Sequence, residues 1–221
     1  MIVRTRSSAL GEGLQERFFE WSCSRSMFVS DGVLTEHMAA HIAAMNVLAP
    51  LGAAAWDRSA GGRGAAKAVP LLPATAVQVA LIWGWHLPAV FAAACRSPAL
   101  TVAMHVSLVL AAFWFWSAVI SGARRAGWTP LAALLATGKL FCLLGVLFTF
   151  APRAILASPA LPPTCFDPDS PRSLVEDQQL AGLLMLTACP LVYGGAAIAI
   201  ARRRLAAVAR DGGWRFSRRA G

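Results

Sequence analysis

Residues 131–151 read LAALLATGKLFCLLGVLFTFA, an uninterrupted apolar run with one charge, Lys139. A helix of that length reaches roughly 30 Å at 1.5 Å per residue, the thickness of a hydrocarbon core. A run that is apolar on every side has no polar face to offer water, so it reads as a membrane span. Four more stretches pass the same test: 34–56, 69–94, 99–120 and 179–201. The composition agrees, with 57% hydrophobic and only 14% charged residues, where a soluble domain carries about a quarter charged. The expected fold is all-α, a polytopic transmembrane bundle of about five spans. An extramembrane arm over 1–33 precedes the bundle (34–204), and a basic tail over 205–221 follows it.

The arm does not read as a signal peptide. Arg4 and Arg6 lead it, but Glu12, Glu16, Arg17 and Glu20 interrupt any apolar segment. Orientation follows from cations in the short loops. Arg58, Arg63 and Lys67 lie in the 57–68 loop, Arg124 and Arg125 in the 121–130 loop, and seven arginines between Arg202 and Arg219. With five spans these segments share one side, expected to be cytoplasmic. The opposite side holds Arg96 and a 152–178 loop where Arg153 and Arg172 meet Asp167, Asp169, Glu176 and Asp177. The chain therefore reads N-out and C-in, although four arginines in the arm weigh the other way. The net charge of +9 is then topology plus a tail for anionic lipid headgroups, not a nucleic-acid footprint.

All four histidines, His37, His41, His86 and His105, fall inside the apolar spans. An imidazole in hydrocarbon is costly, so such a residue faces the bundle interior and marks a site. His37-x3-His41-x3-Met45 places three soft-metal donors on one helix face. Counting inward at 1.5 Å per residue, His41 lies about 10 Å deep, Met45 about 16 Å, His86 about 12 Å and His105 about 9 Å. Three histidines from three spans thus reach one layer of the outer half, with His37 a turn nearer the surface. A single intramembrane histidine can be an interhelical hydrogen-bonding residue; three at one depth point to a site. Imidazole with thioether suits copper, above all Cu(I), and the scarcity of carboxylates disfavours magnesium and calcium. Asp177, Gln178 and Gln179 at the mouth of the last span read as partners for an imidazole N–H or as an entrance.

Other features read more plainly. Met38, Met104 and Met185 read as packing residues, and Trp83, Trp85, Trp114 and Trp116 as interface or packing aromatics. Pro88 in Trp85-His86-Leu87-Pro88 removes a helix hydrogen bond and bends the chain, which would aim His86 inward. Lys139 is expected to snorkel toward the inner edge. Cys142 and Cys189 are small apolar residues mid-span. Cys165, on the outer side with Cys23 and Cys95, could pair or bind metal. Gly61-Gly62-Arg63-Gly64 reads as a turn; no Walker A loop, GxGxxG or Ser-His-Asp arrangement is present.

Four blocks in order carry a family resemblance: Glu36-His37-Met38-Ala39-Ala40-His41-Ile42-Ala43-Ala44-Met45, Trp85-His86-Leu87-Pro88, Met104-His105 and Asp177-Gln178-Gln179-Leu180-Ala181-Gly182. From about Asp31 to Arg204 the chain resembles the CtaG family, the caa3-type cytochrome c oxidase assembly factors. The resemblance implies a multi-pass protein of a bacterial inner membrane that helps build a haem–copper oxidase, with copper handling the family's usual assignment. Partners implied are oxidase subunits, a copper donor protein and lipid, with self-association open and nucleic acid excluded. The leading reading is a non-enzymatic metallochaperone. The alternatives are a redox protein holding haem between two histidines and, last, a copper or small-solute transporter, for which no internal repeat is visible.

Overall fold

A computed structural model describes residues 33–59, 69–124, 128–156, 161–162, 165 and 171–217, with side chains to Arg210. The expected arm lies outside the described residues. Among the described residues the chain is all-helical: α1 Val33–Ser59, α2 Leu71–Trp85, α3 Pro88–Arg96, α4 Pro98–Ala123, α5 Thr129–Phe150 and α6 Leu174–Ser217. Helices α1, α4, α5 and α6 are each long and apolar enough to cross a membrane, and α2 with α3 forms a fifth, broken candidate. The chain folds as a multi-pass helical bundle.

Helix α1 is widened into a π turn at Ala44–Leu48, where the Ala49 N–H reaches the Ala44 carbonyl. The cause is two residues away. Pro50 would press its ring against the carbonyl four residues back, that of Asn46, and a π turn opens the ladder there. The buried positions Leu34, Met38, His41, Met45, Ala49 and Ala53 keep one face inward through the bulge.

The expected continuous span 69–94 is corrected. Helix α2 stops at Trp85, and α3 departs from its axis by 74°. Pro88 sits at the first position of α3, where its missing N–H costs nothing, and Leu87 takes the extended conformation favoured before proline. Alone, the 15 residues of α2 reach only about 22 Å, less than a hydrocarbon core. Helix α4 opens on Ser97, whose hydroxyl accepts the Leu100 N–H, with Pro98 next.

The last helix also departs from expectation. It begins at Leu174 rather than 179, because Ser173 and Glu176 form a reciprocal capping pair: Glu176 Oε2 accepts the Ser173 N–H at 2.8 Å, and Ser173 Oγ accepts the Glu176 N–H at 3.3 Å. Asp177 and Gln178 therefore stand on a formed helical turn. At its other end α6 runs through the expected 204/205 boundary to Ser217 without a break.

Helices α5 and α6 form the most extensive pair. A Cβ at Gly182 would lie 2.6 Å from Thr149 Oγ1 and 2.8 Å from the Gly145 carbonyl, so two glycines set the approach of these helices. Tyr193 of α6 sits at the centre, ringed by Phe115, Trp116 and Phe141, with its hydroxyl accepting a 2.7 Å hydrogen bond from buried Gln78. Trp116 donates its indole N–H to the Met45 carbonyl, a packing role as expected.

The two ends differ chemically. One gathers the C-termini of α1 and α4 and the start of α5: Arg124 pairs with Asp57, and Arg204 donates to the carbonyls of Gly122 and Ala123, where a cation suits a helix C-terminus. The other gathers the starts of α1, α4 and α6. There Cys95, the next-to-last residue of α3, is disulfide-bonded to Cys165, the pairing alternative of the sequence reading.

Candidate metal centre

At the disulfide end of the bundle the four imidazoles meet. His37 and His41 are successive turns of α1, His105 projects from α4, and His86 caps the broken end of α2. Ring centroids lie 4.3 Å apart for His37–His41, 4.7 Å for His41–His105, 5.4 Å for His37–His105 and 6.1 Å for His41–His86. One ligand nitrogen from each of His37, His41 and His105 lies within 4.8 Å of the others. On one ion, with bonds of about 2.0 Å, such nitrogens would sit about 3.5 Å apart, a closure that side-chain torsions can supply. His41 is the centre of the group, touching all three other rings.

Membership differs from expectation in two ways. His37, placed nearer the surface by the depth count, belongs to the tightest trio. His86 stands one step out, against His41 on one side and Phe148 at 5.8 Å on the other. Its expected depth assumed a straight helix to Ala94; after the 74° bend distance along α3 is no longer depth. The corner brings His86 to the group all the same.

Local hydrogen bonds prepare two rings. His86 Nδ1 lies 2.6 Å from the Ile82 carbonyl and His105 Nδ1 2.7 Å from the Thr101 carbonyl. A carbonyl only accepts, so each Nδ1 carries its hydrogen and each Nε2 presents a lone pair, the arrangement typical of metal-binding histidines. Buried nitrogens are left without partners among the described residues: His37 Nε2, both nitrogens of His41, and His86 Nε2. Unpaired buried polar atoms are expensive. Four on three adjoining rings suit an electrophile placed among them, so the donor set fits a metal ion.

The remaining expected site residues lie beside this group. Met45, one turn beyond His41, is 3% exposed and lines a cavity with His41. Asp177 and Gln178 do not bond imidazoles among the described residues. Asp177 takes the N–H groups of Leu34 and Thr35 at 2.8 and 3.0 Å. Gln178 accepts from Ile155 and Leu156 N–H and donates to the Phe148 and Arg153 carbonyls. Gln179 is half-buried. A carboxylate and an amide beside backbone groups that no helix ladder pairs satisfy those first, because they are fixed and numerous. Asp177 thus positions the helix that carries His37 and His41. Phe91 of α3, 5.6 Å from His37, closes the group at its edge. The sequence reading missed Phe91 as well as the Gln78–Tyr193 pair; a glutamine in an apolar run was the available signal for the latter.

Apolar helices long enough to cross a membrane, with a polyhistidine group gathered at one end of the bundle, define an integral membrane protein. The chain belongs to the cytochrome c oxidase caa3 assembly factor family (Caa3_CtaG), whose sequence model matches residues 22–207. No curated protein and no solved structure matches the chain.

Proposed function

We propose that this protein holds copper transiently at the His37–His41–His105 group, with His86 as a fourth donor, and passes it to a subunit of a haem–copper oxidase during assembly. The observation that carries the reading is the set of buried imidazole nitrogens of α1 and the helix corner that lack partners among the described residues, gathered against His105 of α4. Neutral imidazole donors without a carboxylate suit copper better than a hard cation. The family supplies the oxidase, and the copper is cargo rather than a catalyst, so the role is non-enzymatic.

The same reading places the histidine end on the outer face of a bacterial inner membrane. Disulfides persist in oxidising compartments, which supports an outward position for Cys95 and Cys165. The Arg124, Arg202, Arg203 and Arg204 end is then cytoplasmic, in keeping with the positive-inside rule.

The haem alternative is less well supported. A porphyrin between two axial histidines needs a slot as wide as the macrocycle, whereas these rings pack edge to face at 4.3 to 6.1 Å. The test is metal analysis and an absorption spectrum of the purified protein, with oxidase activity in membranes carrying His41→Ala or His86→Ala. Copper without a Soret band, and lowered oxidase activity at normal protein abundance, support the proposal. Full oxidase activity in both variants refutes it.

A further inference from the structure

One turn beyond the imidazoles, toward the middle of the bundle, lies a cavity of about 20 Å³, room for a single water-sized occupant. Its wall holds three thioethers, Met38 and Met45 from α1 and Met185 from α6, together with Cys189, Asn46 and His41. The sulfur residues are 1–3% exposed, so they belong to the interior and not to a lipid-facing surface. Methionine commonly fills irregular gaps, and packing alone would explain the side chains. It does not explain a space left among them, nor a neighbour whose two ring nitrogens both lack partners among the described residues. His41 belongs to the imidazole group and to the cavity wall at once.

We propose that this cavity is a second, sulfur-lined station for Cu(I), with Met45, Met185 and His41 as its ligands. It extends the copper reading of the imidazole group by naming the oxidation state and the inward position of the ion. Thioether is a soft neutral donor that selects Cu(I) over Cu(II), Zn(II) and hard cations. Neither thioether nor imidazole has a proton to lose on binding, so no proton must leave the bundle interior. Because His41 serves both groups, the stations are alternative positions of one ion. The π turn contributes directly: Met45 lies within it and lines the cavity, while its carbonyl accepts the Trp116 indole N–H.

The test is copper K-edge absorption on the detergent-purified full chain loaded with Cu(I) under reducing conditions, with Ag(I) affinity as a second readout. The wild type should show nitrogen and sulfur scatterers. Met45→Leu/Met185→Leu conserves volume and should leave nitrogen only, with Ag(I) affinity lower by about tenfold or more. His37→Ala/His105→Ala should retain copper with sulfur dominant. Nitrogen-only scattering in the wild type, or sulfur scattering unchanged in the methionine variant, overturns the sulfur station. Sulfur scattering with no nitrogen change in the histidine variant would instead defeat the imidazole reading and leave this station standing. Circular dichroism on each variant distinguishes ligand loss from unfolding.

Discussion

Asp177 and Thr35, 142 residues apart in sequence, are joined at two donors: the Thr35 N–H and hydroxyl donate to one carboxylate oxygen at 3.0 and 2.5 Å, the hydroxyl sharing its one hydrogen with the Asp177 carbonyl at 3.1 Å. The other carboxylate oxygen takes the Leu34 N–H. A residue of α6 thereby closes the start of α1, where N–H groups have no intrahelical partners and the helix dipole favours an anion.

Asp177→Ala strands two backbone donors at a buried helix end. The expected cost is about 2–3 kcal/mol, measured as a lower unfolding temperature in detergent. Copper affinity should fall too, although no ligand is altered, because His37 and His41 ride on the second and third turns of α1. Affinity equal to wild type would separate the cap from the site.

Gly182→Ala places a methyl group within 2.6–2.8 Å of Thr149 and Gly145. Backbone atoms cannot yield as a side-chain tip can, so destabilisation of about 1–3 kcal/mol is expected. Gly194→Ala on the same helix meets nothing within 4 Å and should be neutral or slightly stabilising. Equal effects on thermal unfolding would refute the close-approach argument.

Tyr193→Phe removes the acceptor of Gln78 Nε2 in a fully buried setting, while Gln78 Oε1 already lacks a partner among the described residues. A loss of about 1–3 kcal/mol is expected. Tyr193→Phe combined with Gln78→Leu leaves no polar group unpaired and should recover much of it. The double-mutant cycle on unfolding free energy measures the difference.

Cys95→Ser opens a link spanning 70 residues, worth up to about 4 kcal/mol by loop entropy. Reporter fusions check the associated orientation: those at Gly61 and Arg125 should read cytoplasmic and one at Pro168 external. The reverse pattern would place the disulfide and the histidines on the inner side and remove the basis for outward delivery.

The apolar runs were legible from sequence because a membrane demands length and hydropathy and little else. The break at Pro88 was legible as a bend but not as an end of α2, since a proline within an apolar run is also found in kinked, continuous helices. His37 was underweighted because depth along a helix says nothing of where neighbouring helices cross it. Sequence alone offers Asp177 as an imidazole partner or an entrance residue and not as a cap, because the N–H groups it takes, those of Leu34 and Thr35, lie at the far end of the sequence. Hydropathy counts apolar atoms; it does not record which backbone groups a distant carboxylate will find.

The Cys95–Cys165 bond makes a covalent ring that contains all of α4 and α5. Backbone cleavage between Arg124 and Trp128 would therefore cut the ring without dividing the molecule. On a non-reducing gel the nicked protein would migrate as one species and, after reduction, as two fragments, one ending with α4 and the other beginning with α5. The helices that carry His41 and His105 precede the nick and those of Phe148 and Met185 follow it, so the site's two halves would stay on one tether.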